Sequence, residues 1–91
     1  MTKQDFQKLA ENHILLLDGA TGSNLMKAGM PRGVCTESWV IEHKDVIQAL
    51  QKGYIEAGSN IIYAPTFGGN RVNLTMHGLE DQIEEINHTL A

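Results

Sequence analysis

The sequence is poor in the residues from which most specialised chemistry is built. It has one cysteine, two prolines and few aromatics, with two Phe, two Tyr and one Trp in 91 residues. The single cysteine, Cys35, excludes an internal disulfide. With a polar first segment, Met1 to Asn12, that has no apolar core of a signal peptide, a reducing, cytoplasmic setting is expected. Basic residues are scarce as well: seven Lys and Arg stand against eleven Asp and Glu, for a formal charge of -4. Scattered cations in an acidic chain do not displace the counterions of a phosphate backbone, so nucleic acid is excluded as a partner. No apolar run exceeds four residues, far short of the ~20 needed to cross a bilayer, so no membrane partner is expected. The four histidines, His13, His43, His77 and His88, lack the short ligand spacings of a zinc site. Two N-x-T sequons, at Asn73 and Asn87, are read as chance matches. What remains is an ordinary globular composition, 42% hydrophobic and 20% charged, expected to form one domain over residues 1–91.

The hydrophobic pattern predicts a sequence of elements. Thr2 to Asn12 reads as a short amphipathic helix, capped by Thr2 or Asp5, with Phe6, Leu9 and Ala10 on one face. Ile14 to Leu17 is an unbroken apolar run that stops at Asp18-Gly19, which suits a strand buried on both faces. Ala20 to Ala28 reads as a helix with Thr21 or Ser23 as cap and Gly29 as its stop. Met30 to Thr36 reads as a loop, and Glu37 to His43 as a short segment cored by Trp39, Val40 and Ile41. Lys44 to Ala57 gives the clearest helix, striped by Val46, Ile47, Leu50, Tyr54 and Ala57 and stopped by Gly58. Ile61 to Ala64 makes a second β-type run. Asn70 to His77 can form a helix with Val72 and Met76 on one side. Leu79, Ile83, Ile86 and Leu90 then continue at helical spacing. Two buried strands joined by a helical crossover imply a parallel pair.

In parallel α/β architectures ligands bind where strands end and helices begin. The first such tip is Asp18-Gly19-Ala20-Thr21-Gly22-Ser23. Gly19 and Gly22 let a backbone approach a ligand closely, and the following helix start offers N–H groups to an anion. Asp18 would supply a fixed negative charge or orient a neighbouring donor; alternatively, Asp18-Gly19 simply ends a strand. The spacing is neither a dinucleotide fingerprint nor a P-loop. The second tip is Thr66-Phe67-Gly68-Gly69-Asn70-Arg71. Thr66 and Asn70 are candidate hydrogen-bonders to a small polar ligand, with Phe67 packed beneath it. The alternative is a flexible glycine turn followed by an Asn70 cap. Cys35 reads as a partly buried loop thiol with no base placed beside it. Trp39 reads as a packing anchor, and Glu80, Asp81, Glu84 and Glu85 as a solvated helix face.

Three stretches carry a resemblance: Leu15 to Gly22, Ala57-Gly58-Ser59-Asn60-Ile61-Ile62, and Pro65 to Arg71. In this order and spacing they resemble the start of the homocysteine S-methyltransferase family. Met30 to Cys35 and Glu37-Ser38-Trp39 look closest to the homocysteine-binding module of cobalamin-dependent methionine synthases. The resemblance implies an α/β fold, the N-terminal two βα units of a (β/α)8 TIM barrel. A closed barrel takes about 250 residues, so a partial barrel, a fragment, is expected. It further implies methyl transfer to the zinc-activated thiol of homocysteine, giving methionine. Asp18, Gly19 and Ala20 match the family's first-strand motif and Thr66 and Phe67 its second, so these five are the implied substrate-binding residues. The family's zinc is held by three cysteines, including an adjacent pair; this sequence has no such pair and Cys35 matches no ligand position. The isolated chain is therefore expected to be inactive, with zinc and cobalamin belonging to the parent enzyme. The methyl donor, methylcobalamin or one derived from methyltetrahydrofolate, would act through domains missing here. The competing expectation is a free-standing, non-enzymatic small α/β module that self-associates through exposed sheet edges.

Overall fold

The computed structural model describes all residues from Met1 to Ala91. Its elements are helices: α1 (Lys3–Asn12), α2 (Gly22–Lys27), α3 (Thr36–Glu42), α4 (Lys44–Ala57), α5 (Arg71–Met76), a 3-10 turn (Glu80–Gln82) and α6 (Ile83–Leu90). Helix α1 starts at a reciprocal capping box. The Asp5 N–H donates to the Thr2 hydroxyl at 3.1 Å, and the Thr2 N–H donates to Asp5 Oδ2 at 3.0 Å, satisfying two otherwise orphaned donors. No residue of α1 is buried; Phe6 and Leu9 stay 44% and 40% exposed. The cap, not packing, defines this helix.

Helices α2, α4 and α5 end by one device. Gly29, Gly58 and Gly78 follow them with φ of +117°, +117° and +70°, a region open to glycine and costly to other residues. In each case the residue after the glycine returns its N–H to a carbonyl one turn back: Met30 to Leu25, Ser59 to Tyr54, Leu79 to Leu74. Those are Schellman closures. In the first and third, the two residues so joined also share an apolar cluster.

Helix α3 is the centre of the packing, lying against α4 and α6, while α2 packs on α4 and α5 on the 3-10 turn. Leu25, Met30, Val40 and Ile47 form one buried cluster and Cys35, Leu74 and Ile86 a second. Leu90 packs against both and joins them. Leu25 and Leu74 are fully buried, each contributing roughly 1.5–3 kcal/mol by removal from water. The expected α5 face is wrong by about half a turn, since at ~100° per residue Leu74 lies opposite Val72 and Met76. Val72 and Met76 are 77% and 78% exposed, and the helix is anchored by Leu74 instead.

The expected α/β fold, two βα units of a TIM barrel, is not what the chain forms. Helix accounts for 59% of the residues and there is no sheet. Of the two β-type runs, one parallel bridge remains, Leu17 to Ile61. The reason is a lack of neighbours. A strand buried on both faces needs partners at both edges and helices above and below. Here each run has one partner at one position, and Ile14, Leu16, Leu17 and Tyr63 are 88%, 54%, 51% and 54% exposed. The molecule is correspondingly extended, with a radius of gyration of 15.1 Å against about 12 Å for a compact domain of this length.

Candidate functional site

Although they form no sheet, the two runs are laced together. The Asn60 and Ile61 N–H groups donate to the Leu16 carbonyl, and the Asp18 N–H donates to the Ile61 carbonyl at 3.0 Å. Side chains reinforce this pairing. Asn60 Oδ1 accepts from the Leu16 N–H at 3.0 Å, and the Ser59 hydroxyl donates to the Leu17 carbonyl at 3.3 Å. Asp18 Oδ2 accepts from the Tyr63 N–H at 3.2 Å. The tips that follow, residues 18–22 and 65–69, therefore leave the pairing side by side.

Each tip is then clamped from outside. Tyr54 of α4 donates its hydroxyl to the Ala20 carbonyl at 2.8 Å, and Asn24 Nδ2 donates to the same oxygen at 2.7 Å. A Cβ on Gly19 would stand 3.0 Å from the Tyr54 hydroxyl oxygen, so the glycine admits the tyrosine. At the second tip, Glu37 Oε1 accepts from the Gly68 N–H at 2.7 Å. Asn73 Nδ2 donates to the Gly68 carbonyl at 2.8 Å, and Asn87 Nδ2 to the Gly69 carbonyl at 2.6 Å. A Cβ on Gly68 would lie 2.5 Å from Asn73 Nδ2 and 2.7 Å from Glu37 Oε1. The glycine pair is thus a held turn, its side-chain space taken by Glu37, Asn73 and Asn87. Asn70 serves as the cap of α5, its Oδ1 accepting from the Asn73 N–H at 2.9 Å.

Between the tips lies a cleft of about 420 Å³, walled by Gly19 and Gly22 on one side and Phe67 and Gly68 on the other, with Glu37 and His77 also on its lining. Of the five residues singled out in the sequence, Gly19 and Phe67 reach this cleft. Asp18 is engaged with the Tyr63 backbone. Ala20 contributes a carbonyl already twice bonded, and the Thr66 carbonyl accepts from the Gly69 N–H at 3.1 Å. Phe67 does not pack beneath a ligand site; it is 68% exposed, its ring tilted against Tyr63 at a centroid distance of 6.1 Å.

Glu37, Tyr54, Asn73 and Asn87 were not among those candidates. A signal for Glu37 existed: it precedes Val40 and Ile41 by three and four residues, which places it on the buried face of α3, and it is 4% exposed. Asn73 and Asn87 gave no signal, because their partners lie in a loop whose path sequence spacing does not define. Cys35 is buried, its thiol 3.6 Å from Glu37 Oε2. That pair is the nearest approach to a metal site, and it falls short. Nowhere do three or more His, Cys, Asp or Glu side chains converge as ligands, so the residues present do not fit the zinc ion that the sequence resemblance implies.

Residues 15–91 match the family model described as homocysteine S-methyltransferase. This chain belongs to the homocysteine S-methyltransferase family. Both cleft tips lie inside the matched residues, and α1 lies outside them. Among curated relatives, the chain is 28% identical over 88 residues to methionine synthase from Mycobacterium tuberculosis, covering 90% of this chain and 7% of that protein. Methionine synthase from Mycobacterium leprae shows the same identity and coverage. An S-methylmethionine–homocysteine S-methyltransferase from Pongo abelii is 29% identical over 82 residues, covering 89% of this chain and 21% of that protein. The chain thus spans a small fraction of the homocysteine S-methyltransferases it resembles. No solved structure matches. No helix is long and apolar enough to cross a membrane.

Proposed function

We propose that the cleft between residues 18–22 and 65–69 is a homocysteine-holding surface of a methionine-synthase-like methyltransferase. The observation that carries this reading is the convergence of the two family-like tips on one small cleft. Gly19 and Phe67 form its walls, while Asp18, Ala20 and Thr66 set the backbone behind them. The chemistry served is methyl transfer to the homocysteine sulfur, giving methionine, in a cytoplasmic enzyme. Zinc and cobalamin, with the methyl donor, belong to parts of that enzyme other than these residues, since no ligand set for a metal assembles here. Alone, the chain binds the amino acid and does not turn it over. Calorimetric titration with homocysteine tests the reading: saturable binding is expected, with none for a thiol lacking the amino-acid group, such as propanethiol. Absence of homocysteine binding overturns it. An assay with homocysteine, zinc and methylcobalamin is expected to give no methionine above the blank, and turnover would contradict the inactivity.

A second reading, a non-enzymatic module that self-associates, is favoured by one observation. Ile14, Leu16, Leu17 and Tyr63 are exposed along the paired segments, an apolar edge open to a second copy. Size-exclusion chromatography at rising concentration separates the two, since a monomer throughout removes the second reading.

A further inference from the structure

Glu37 is a buried carboxyl group with no cation among its hydrogen-bond partners. It sits in the first turn of α3, 4% exposed. Oε1 accepts from the Gly68 N–H at 2.7 Å, and Oε2 faces the Cys35 thiol at 3.6 Å. Neither partner is a cation, and these contacts leave about half of a carboxylate's acceptor positions unused. A carboxylate withdrawn from water is costly unless it is paired and fully hydrogen-bonded. Yet this one lines the cleft, where a cation can reach it from outside. No lysine or arginine shares that lining, and His77 is its one other titratable side chain. The rest of the lining combines glycine, threonine and Asn73 with the apolar Val34, Pro65 and Phe67, so none of it supplies a positive charge to Glu37.

We infer that Glu37 binds the ammonium group of the ligand in this cleft, a role that rests on the homocysteine reading above and names the group that recognises its amino end. Asp18 is the competing carboxylate, but it lies off the cleft lining and its Oδ2 is spent on the Tyr63 N–H. Because the Glu37 carboxylate also holds Gly68, it links the ammonium to the second tip. A ligand there completes the shell of a carboxylate whose other contacts fix the loop.

The test compares homocysteine with 4-mercaptobutanoate, which keeps the thiol, the chain length and the carboxylate and lacks the amine. Both are titrated by calorimetry into the full chain, its Glu37→Gln and Glu37→Asp variants, and Asp18→Asn. The full chain should prefer homocysteine by about 10- to 100-fold, the range of one charge-assisted hydrogen bond. Glu37→Gln should erase that preference, with Glu37→Asp retaining part of it. Asp18→Asn loosens the tip that Asp18 supports and should weaken both ligands alike without changing the preference. Circular dichroism establishes that each variant is folded; if Glu37→Gln is not, the ligand comparison on the full chain and on Glu37→Asp decides. Equal binding of both ligands by the full chain overturns the Glu37 role and leaves the homocysteine reading standing. So does an equal loss for both ligands in Glu37→Gln, which would reduce Glu37 to a loop support. Loss of the preference in Asp18→Asn alone reassigns the role to Asp18. Binding of neither ligand overturns the homocysteine reading and this inference with it.

Discussion

Replacing Gly68 with alanine adds one carbon where three polar atoms already stand. The new Cβ would meet Asn73 Nδ2 at 2.5 Å and the two Glu37 oxygens at 2.7 and 2.9 Å, inside any normal contact distance. Those atoms cannot retreat freely, because they make the hydrogen bonds that hold Gly68 on both its N–H and its carbonyl. Losing a hydrogen bond to a charged group costs about 1.5–3 kcal/mol, and losing a neutral one about 1 kcal/mol. Against that stands a gain of about 0.4–1 kcal/mol from a stiffer unfolded chain, since Gly68 does not adopt a left-handed backbone. The net expectation is a loss of about 2–3 kcal/mol, or roughly 8–24 °C in Tm for a domain of this size. Urea unfolding followed by the fluorescence of Trp39 measures it, with Gly53→Ala as the control. Gly53 lies inside α4 with nothing near its would-be Cβ, so that change should stabilise by about 0.5–1 kcal/mol. If Gly68→Ala is as stable as the parent while Gly53→Ala behaves as expected, the clamped second tip is wrong.

Two more predictions concern the helices. Leu74→Ala should cost about 2–5 kcal/mol, because Leu74 is fully buried, whereas Met76→Ala, at a side chain 78% exposed, should stay within about 0.5 kcal/mol; the reverse order in urea midpoints would refute the observed α5 face. At α1, the Thr2 backbone N–H, and then its hydroxyl, hold the Asp5 carboxyl below its ordinary range. A lowered folded pKa means that the cap supports α1 at neutral pH, that this support fades once pH drops below the unfolded value of about 3.9, and that it is gone below the folded one. An NMR pH titration should place the Asp5 midpoint below that of an unfolded peptide and return it there in Thr2→Ala; a midpoint indifferent to Thr2 would contradict the cap.

Much of the local structure was legible in the sequence. Thr2, one of the two caps offered for α1, and Gly29 and Gly58 as helix stops were readable, because these signals depend on nearest neighbours alone. The stripe on α4 and the run from Leu79 to Leu90 likewise placed Ile47 and Ile86 in the core. The strands were not recoverable in that way. Ile14 to Leu17 and Ile61 to Ala64 have β-type composition, but a strand needs partners at its edges, and the parallel contact that forms is one bridge. The α5 face was misread because Val72 and Met76 share a side with each other, while Leu74, packed beneath Leu79 and Ile86, shares one with the core. At the cleft, the tips were visible as glycine-rich breaks. Their clamps were not, since Glu37 meets Gly68 across 31 residues and Asn87 meets Gly69 across 18.

The most direct test of the cleft is a titration of the 15N-labelled chain with homocysteine, followed amide by amide. Concerted, saturable shifts at Gly19, Gly22, Phe67 and Gly68, with the α1 amides unmoved, are the expected result. Shifts confined to a single tip, or scattered over surfaces away from Glu37, would mean that the two loops do not act as one binding site.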